Sequence, residues 1–168
     1  YRLYPSKAQA DAFDYQLSEA RHLYNAALEE RHDAWKMQRV SRNYYDQANQ
    51  LKEIRDAGNL HLANFSACQD VLRRVEKTYA AFFGRIKVGQ KAGYPRFKGK
   101  DRFNSYTFPA WGDGCHLVDG KVKLQGVGNV KLKMHRPITG EIKTVTLKRE
   151  CGKWYACFSI VFDVGNPT

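Results

Sequence analysis

YAAFFGRIKVGQKAGYPRFKGKDRFNSYT, residues 79–107, holds the change on which the reading of the fold turns. Its first residues continue a stripe of rings at helical spacing, Tyr79, Phe82 and Phe83. From Gly84 to Phe103 the composition becomes that of a Gly- and Lys-rich loop, and Gly93-Tyr94-Pro95-Arg96-Phe97-Lys98 alternates cations with rings. By Ser105 a strand pattern begins. Cations pair with phosphates, and rings either stack on bases or pack a loop against its own domain.

Upstream the period is helical. Ser6 and Gln9 have capping-box spacing, and Ala10, Phe13, Leu17, Ala20, Tyr24, Ala27 and Leu28 follow at helical intervals. This predicts a helix to about Met37, a polar connector over Arg39–Asn43, a second helix over Tyr45–Asp56 stopped by Gly58, and a third over Asn64–Phe83. Phe65, Cys68, Leu72, Val75, Tyr79, Phe82 and Phe83 line one face of the third. Arg73, Arg74 and Lys77 lie off that stripe, on a face that is either simply solvated or in contact with nucleic acid.

Downstream the period is two. Ser105–Phe108, His116–Val118, Lys121–Gln125, Asn129–His135, Ile142–Arg149 and Trp154–Phe162 read as strands, and Asp119-Gly120 as a hairpin turn. Val122, Leu124, Val130, Leu132 and Met134 alternate with Lys121, Lys123, Lys131 and Lys133, so one sheet face is buried and the other carries lysines. Such a row binds an anion or guards an edge strand. Trp154–Phe162 is apolar on both faces, the pattern of a central strand. The expected fold class is therefore α+β, a helical unit followed by a small β-barrel or half-barrel. If Tyr1–Tyr4 is a strand of that barrel, the helices are an insertion into it.

The charge follows the same division. Net charge is +11, yet residues 1–83 hold 12 Lys/Arg against 11 Asp/Glu, while residues 84–168 hold 16 against 6. A polyanion partner is the natural reading, nucleic acid before membrane, with a merely soluble basic surface as the alternative. No apolar run approaches the roughly 18 residues of a membrane span, and no signal peptide is visible. Cys68, Cys115, Cys151 and Cys157 form no C-x-x-C pair and read as free thiols of a reducing compartment.

Catalytic patterns are not found. Asp113, Asp119, Glu141, Glu150 and Asp163 do not form the carboxylate set of a two-metal nuclease. His22, His32, His61, His116 and His135 are isolated, and no nucleophile elbow or phosphate-cradling Gly loop occurs. The chain is expected to bind nucleic acid rather than to cut it. It begins at Tyr1 without Met and stops just after a strand pattern, the look of part of a longer protein.

An ordered set of residues resembles the N-terminal part of the TnpB proteins of insertion sequences. It comprises Tyr1-Arg2-Leu3-Tyr4-Pro5-Ser6-Lys7-x-Gln9, Ala20-Arg21-His22-Leu23-Tyr24-Asn25-x-Ala27-Leu28, and Phe65-x-x-Cys68-Gln69-x-x-Leu72-x-x-Val75-x-x-Thr78-Tyr79-x-x-Phe82-Phe83. Gly93 to Lys98, His135-Arg136-Pro137-Ile138-x-Gly140-x-Ile142-Lys143 and Trp154-Tyr155-x-x-Phe158 complete it. The TnpB proteins are transposon-encoded, RNA-guided DNA endonucleases similar to compact type V CRISPR effectors.

The resemblance implies an OB-like wedge barrel formed by residues 1–4 and 104–165. It implies a helical recognition domain over 5–83 and a basic connecting loop over 84–103. A RuvC-like nuclease domain would follow, carrying the catalytic carboxylates with Mg²⁺ and an insertion with Zn²⁺. No cofactor is expected in the present residues. The implied partners are guide RNA and double-stranded target DNA, not a membrane, in prokaryotic cytoplasm at the nucleoid. A stand-alone or nuclease-dead regulator and a ribosomal-type RNA-binding protein are the rival readings.

Base pairing by the guide reads the target, and the protein reads only a short motif beside it. For that motif the resemblance points to Tyr44 or Tyr45, Asn64, Phe65, Gln69, Ser105 and Thr107; Gln69 suits an adenine edge. Lys7, Arg21 and Asn25 are expected to face nucleic acid. Lys87, Lys91, Arg96, Lys98, Lys100 and Arg102 are expected to hold phosphates, with Arg73, Arg74 and Lys77 on the helix face. Tyr94 and Phe97 either stack on a nucleotide or pack on the barrel, packing being favoured for Phe97. Lys121, Lys123, Lys131, Lys133 and Arg136 are candidates for the RNA scaffold.

Overall fold

Ser6 starts the longest helix. Its hydroxyl accepts from Gln9 N at 3.2 Å and Gln9 Oε1 accepts from Ser6 N at 3.0 Å, so two free N–H groups find partners. Helix α1 then runs Lys7–Gln38 and ends where Arg39 turns left-handed, φ 54°. Phe13, Leu17, Ala20, Tyr24, Ala27 and Leu28 form its buried stripe. The structure, a computed structural model, describes residues 1–162. Asp163 and the last residues of the expected barrel segment, 163–165, lie outside the described residues.

The expected second helix is two short ones, α2 (Tyr44–Ala48) and α3 (Leu51–Asp56). An Asn43/Asp46 capping box starts α2. The break comes where Gln50 N reaches Gln47 O, an i→i−3 bond that tightens the turn. Helix α4 (Phe65–Lys87) continues one turn past Phe83. Gly84, where the loop composition begins, stays helical; a helical glycine costs only about 1 kcal/mol, and the stop falls at Val88 and Gly89, φ 79°.

Seven strands follow the period-two reading: β1 (Leu3–Tyr4), β2 (Ser105–Phe108), β3 (Cys115–Val118), β4 (Lys121–Leu124), β5 (Gly128–Leu132), β6 (Glu141–Glu150) and β7 (Lys153–Val161). Strand β5 stops short of the expected His135, so Met134, read on the buried face, lies outside it and is exposed. Asp119 and Gly120 both have positive φ, 48° and 73°, as a two-residue hairpin turn of the twisted kind needs. The strands form two antiparallel sheets, β1-β5-β4-β3 and β2-β6-β7. Neither closes into a barrel. Strand β7, read as central, is instead an edge; β6 is the middle strand. On its other side β7 meets the start of the chain, through an Arg2–Tyr155 bridge and Ala156 N donating to Tyr1 O at 2.8 Å.

Helices and sheets share one hydrophobic core. Phe13 of α1 stacks on Trp154 of β7 with ring centroids 4.6 Å apart. Leu3, Val122, Val130, Val145 and Leu147 from both sheets join Cys68, Val71, Leu72 and Val75 of α4 in the same buried cluster. Strand β1 pairs with β5 (Leu3 opposite Leu132), so the helices lie in the chain between two strands of one sheet.

Candidate nucleic-acid interface

The α2 and α4 helices flank a cleft of about 850 Å³ whose walls include Tyr44, Tyr45, Phe65, Gln69, Arg73 and Lys77. Four of the residues named from sequence for a DNA motif thus converge, though Tyr44 and Tyr45 lie more than twenty residues from Gln69. The cause is Glu76, one carboxylate oxygen of which accepts from Arg31 Nη2 at 2.6 Å and from Tyr44 N at 3.0 Å. Arg31 is 6 % exposed and also donates Nε to Gln47 at 2.9 Å, which fixes α2 from below. The acid of the cleft is therefore neutralised. Tyr45 is 73 % exposed and Phe65 40 %, while the Arg73 guanidinium lies 5.3 Å from the Tyr44 ring centroid. Rings, an amide and two cations around an open cleft are the ingredients of base and phosphate contact.

Other named residues are held elsewhere. Asn64 is 2 % exposed and wholly engaged. Its Oδ1 caps α4 at Ala67 N (2.8 Å), and its Nδ2 donates to Asp113 O (3.1 Å) and Gln125 Oε1 (3.0 Å). An N-cap Asn looks in sequence like a polar surface residue; only its burial removes it. Arg74 is engaged too, donating to Ser105 O at 2.7 Å and Thr107 Oγ1 at 2.9 Å and pairing with Asp70 at 3.4 Å. Ser105, Thr107 and Arg74 thus form a joint between α4 and β2 and stand outside the cleft.

The basic loop is tied down at its middle. Asn25 Nδ2 donates to Lys98 O and Lys98 N donates to Asn25 Oδ1, both at 2.9 Å, a side chain imitating a strand partner. Asn25 therefore holds the loop at Lys98. The Lys98 ammonium lies 5.0 Å from the Tyr24 ring centroid. Tyr94 packs among His32, Tyr79 and Phe82, with centroids 5.0–6.3 Å away, whereas Phe97 is 62 % exposed. This reverses the sequence expectation, which favours packing for Phe97. Lys87, Lys91, Arg96, Lys100 and Arg102 are exposed along this loop and its helical approach.

Pairing across the larger sheet lines up its cations. Lys121 stands opposite Lys131 and Lys131 opposite Tyr4, so these three side chains share one face. Lys123 lies two residues along the same face, opposite Asn129 and His116. Among the described residues no carboxylate pairs with Lys121, Lys123, Lys131 or Lys133. Directly opposed like charges are unfavourable in a sheet unless an anion lies over them. Lys7 is exposed at the first turn of α1, and Arg136 is exposed in the loop that Tyr1 holds by donating its hydroxyl to Arg136 O at 2.9 Å.

Three cations missed in sequence extend this surface. Arg2, Arg149 and Lys153 line a groove of about 670 Å³ with Lys100, and Arg21 lines an adjoining hollow with Lys100 and Arg149. Arg2 Nε is buried without a hydrogen-bond partner while its guanidinium rests over Tyr4, 4.9 Å from the centroid. No local motif joins residues 2 and 100 to 149 and 153; the Arg2–Tyr155 bridge brings the start of the chain to β7, and Lys100 comes from the basic loop. Asp14 is bound to Arg149 at 2.8 Å, leaving Asp101 as the other acid of the groove.

Burial raises Asp70 despite Arg74, Lys77 and Arg73 nearby, and raises the thiols of Cys68 and Cys115. Tyr79 is pushed up to about 12 by burial and by Tyr94. Both thiols are thus held as neutral core groups rather than nucleophiles. Among the described residues no three His, Cys, Asp or Glu side chains gather as a metal-ion cluster, and no helix is long and apolar enough to cross a membrane.

A basic α+β unit with a ring-lined cleft is the class this geometry defines. A family model described as a helix-turn-helix domain, HTH_OrfB_IS605, matches residues 1–39. Here those residues are β1 and the uninterrupted helix α1, so no turn between two helices is present within them. A protein of Escherichia coli (strain K12) named "Putative RNA-guided DNA endonuclease InsQ" is 28% identical over 99 residues, 59% of this chain and 23% of its own length. A "Putative RNA-guided DNA endonuclease" of Streptomyces pristinaespiralis is 28% identical over 164 residues, 92% of this chain and 39% of its own. The chain spans less than half the length of either relative. Together these matches make the chain similar to part of proteins named as putative RNA-guided DNA endonucleases, in line with its resemblance to the TnpB proteins.

Proposed function

We propose that this chain is the portion of an RNA-guided DNA endonuclease of insertion sequences that binds guide RNA and the duplex beside the target. The single observation that carries the reading is the α2/α4 cleft, where Tyr44, Tyr45, Phe65 and Gln69 meet Arg73 and Lys77 around a neutralised Glu76. On this reading Gln69 offers its amide to a base edge, the rings exclude water beside it, and the two cations grip flanking phosphates. Guide RNA lies along the lysine face of β4 and β5 and the groove of Arg2, Lys100, Arg149 and Lys153, where contacts are to phosphate and shape.

The two sheets then act as a wedge half-barrel, held together where Arg2, just before β1, bridges to Tyr155 of β7. Residues 5–83 serve as the recognition unit and 84–103 as the basic connection between them. Strand scission would belong to a nuclease domain elsewhere in the full protein.

Selection from duplexes randomised over a short window tests the reading. The chain with its guide RNA should enrich a short motif, and Gln69→Ala should relax one position of it at a cost of about 1–3 kcal/mol. RNA binding without any motif enrichment would overturn the DNA half of the proposal.

A further inference from the structure

A second cavity, of about 490 Å³, opens at the far end of α1 and α4 and shares no lining residue with the α2/α4 cleft. Its walls are mostly rings: Trp35 from α1, Tyr79, Phe82 and Phe83 from α4, and Tyr94 from the basic loop. Trp35 is 49 % and Phe83 60 % exposed, so much of both side chains is open to solvent. Phe82 meets Tyr94 at 5.0 Å and Phe83 at 5.3 Å, which fixes the aromatic wall in place. Ser41 and Arg42 line the connector side, and the Arg39 guanidinium sits 5.6 Å from the Trp35 ring centroid. Among the described residues no carboxylate lines the cavity. Arg31, its remaining cation, is already engaged by Gln47 and Glu76.

A volume in the range of small-ligand pockets (about 300–1,000 Å³), half-exposed rings inside, Arg42 in the lining and the Arg39 guanidinium beside Trp35 describe one ligand chemistry. The ligand is flat and apolar at one end and anionic at the other. We propose that this pocket takes one unpaired nucleotide of a single strand, its base stacked on Trp35 and Phe83 and its phosphate held by Arg39 and Arg42. An apolar peptide would use the rings but not the cations beside them. The walls offer little to a base edge, so any base is accepted. The proposal rests on the reading of the chain as a nucleic-acid binder, and is independent of how the α2/α4 cleft meets a duplex.

Fluorescence anisotropy with fluorescein-labelled single-stranded RNA, single-stranded DNA of the same sequence and a DNA duplex tests it on the full 168-residue chain. Trp35→Ala should weaken single-strand binding by about tenfold, as loss of one base–ring stack does. Trp35→Phe should restore most of it, and duplex affinity and Tm should stay unchanged. Whether the RNA or the DNA arm responds identifies the source of the strand. Unchanged single-strand affinity in the Trp35→Ala/Phe83→Ala double variant would overturn the proposal. An equal loss on the duplex would also do so, as would a shift in oligomeric state alone, which would mark a protein-binding patch. If the unaltered chain bound none of the three probes, the broader functional reading would fail instead.

Discussion

The helical unit and the larger sheet use their cations in opposite ways. Three arginines of the helices are turned inward: Arg31 to Gln47 and Glu76, Arg55 to the Ala63 carbonyl at 3.2 Å, Arg74 to Asp70, Ser105 and Thr107. On the sheet Lys121, Lys123 and Lys131 stand on one face, and among the described residues no carboxylate is paired to them. A charge with a fixed internal partner shapes a surface, and a charge without one attracts an ion. The helices therefore present a formed cleft whose acid is already paired and whose cations are Arg73 and Lys77, suited to discrimination. The sheet presents unsatisfied charge, suited to affinity and to salt-dependent binding.

The deepest challenge to this comparison is mechanical. If the two regions were separate bodies, damage to their shared core would unfold one and leave the other. Phe13→Ala removes the ring that stacks on Trp154 and should cost about 3–5 kcal/mol. Urea unfolding should show one transition, shifted as a whole; two transitions would break the single-core picture. Next in size, replacing Lys121, Lys123, Lys131 and Lys133 by Gln should flatten the salt dependence of RNA binding. The log–log slope should fall by about 0.7 for each single-strand phosphate that is no longer neutralised. The motif preference on DNA should survive. Gln69→Ala should do the converse, relaxing one motif position while leaving the salt slope alone.

The smallest expected effect is a pH dependence at Asp70. A carboxyl whose folded value is raised gives its full contribution below the unfolded value, near 3.8, and loses it as pH rises through the folded value. The stability of the unaltered chain relative to Asp70→Asn should therefore fall as pH rises from about 3 into the range above 4, then level off. A difference that grows with pH would show that Arg74 outweighs burial there.

Sequence makes the periods legible and leaves the partners illegible. The Lys/Val alternation of residues 121–133 places β4 and β5 and tells which face is buried, because a strand shows its faces two residues apart. The Ser6 box fixes the start of α1. The rank of β7 is not legible, since an apolar strand looks the same whether its neighbour is a ladder or a short bridge to Arg2. In the site, Gln69 and Phe65 are reachable through helical spacing and resemblance, but Asn64 one residue earlier is not separable from them until its burial is known. The groove of Arg2, Lys100, Arg149 and Lys153 has no sequence signal, because the Arg2–Tyr155 bridge and the return of the basic loop, not spacing along the chain, bring those positions together.

The clasp of Tyr1 and Arg2 onto Tyr155 and Ala156, 155 residues apart along the chain between Tyr1 and Ala156, also sets an order of events in time. Local helical contacts can form as soon as their residues exist, but the ladder of β1 must wait for β5, and the clasp for β7. Closing so long a loop carries an entropic cost before any contact offsets it, so the joining of the two sheets is expected to be the slow step. The groove that β1 completes with Arg2 would then be the last of the basic surfaces to appear as the protein folds, after the cleft between α2 and α4 is in place.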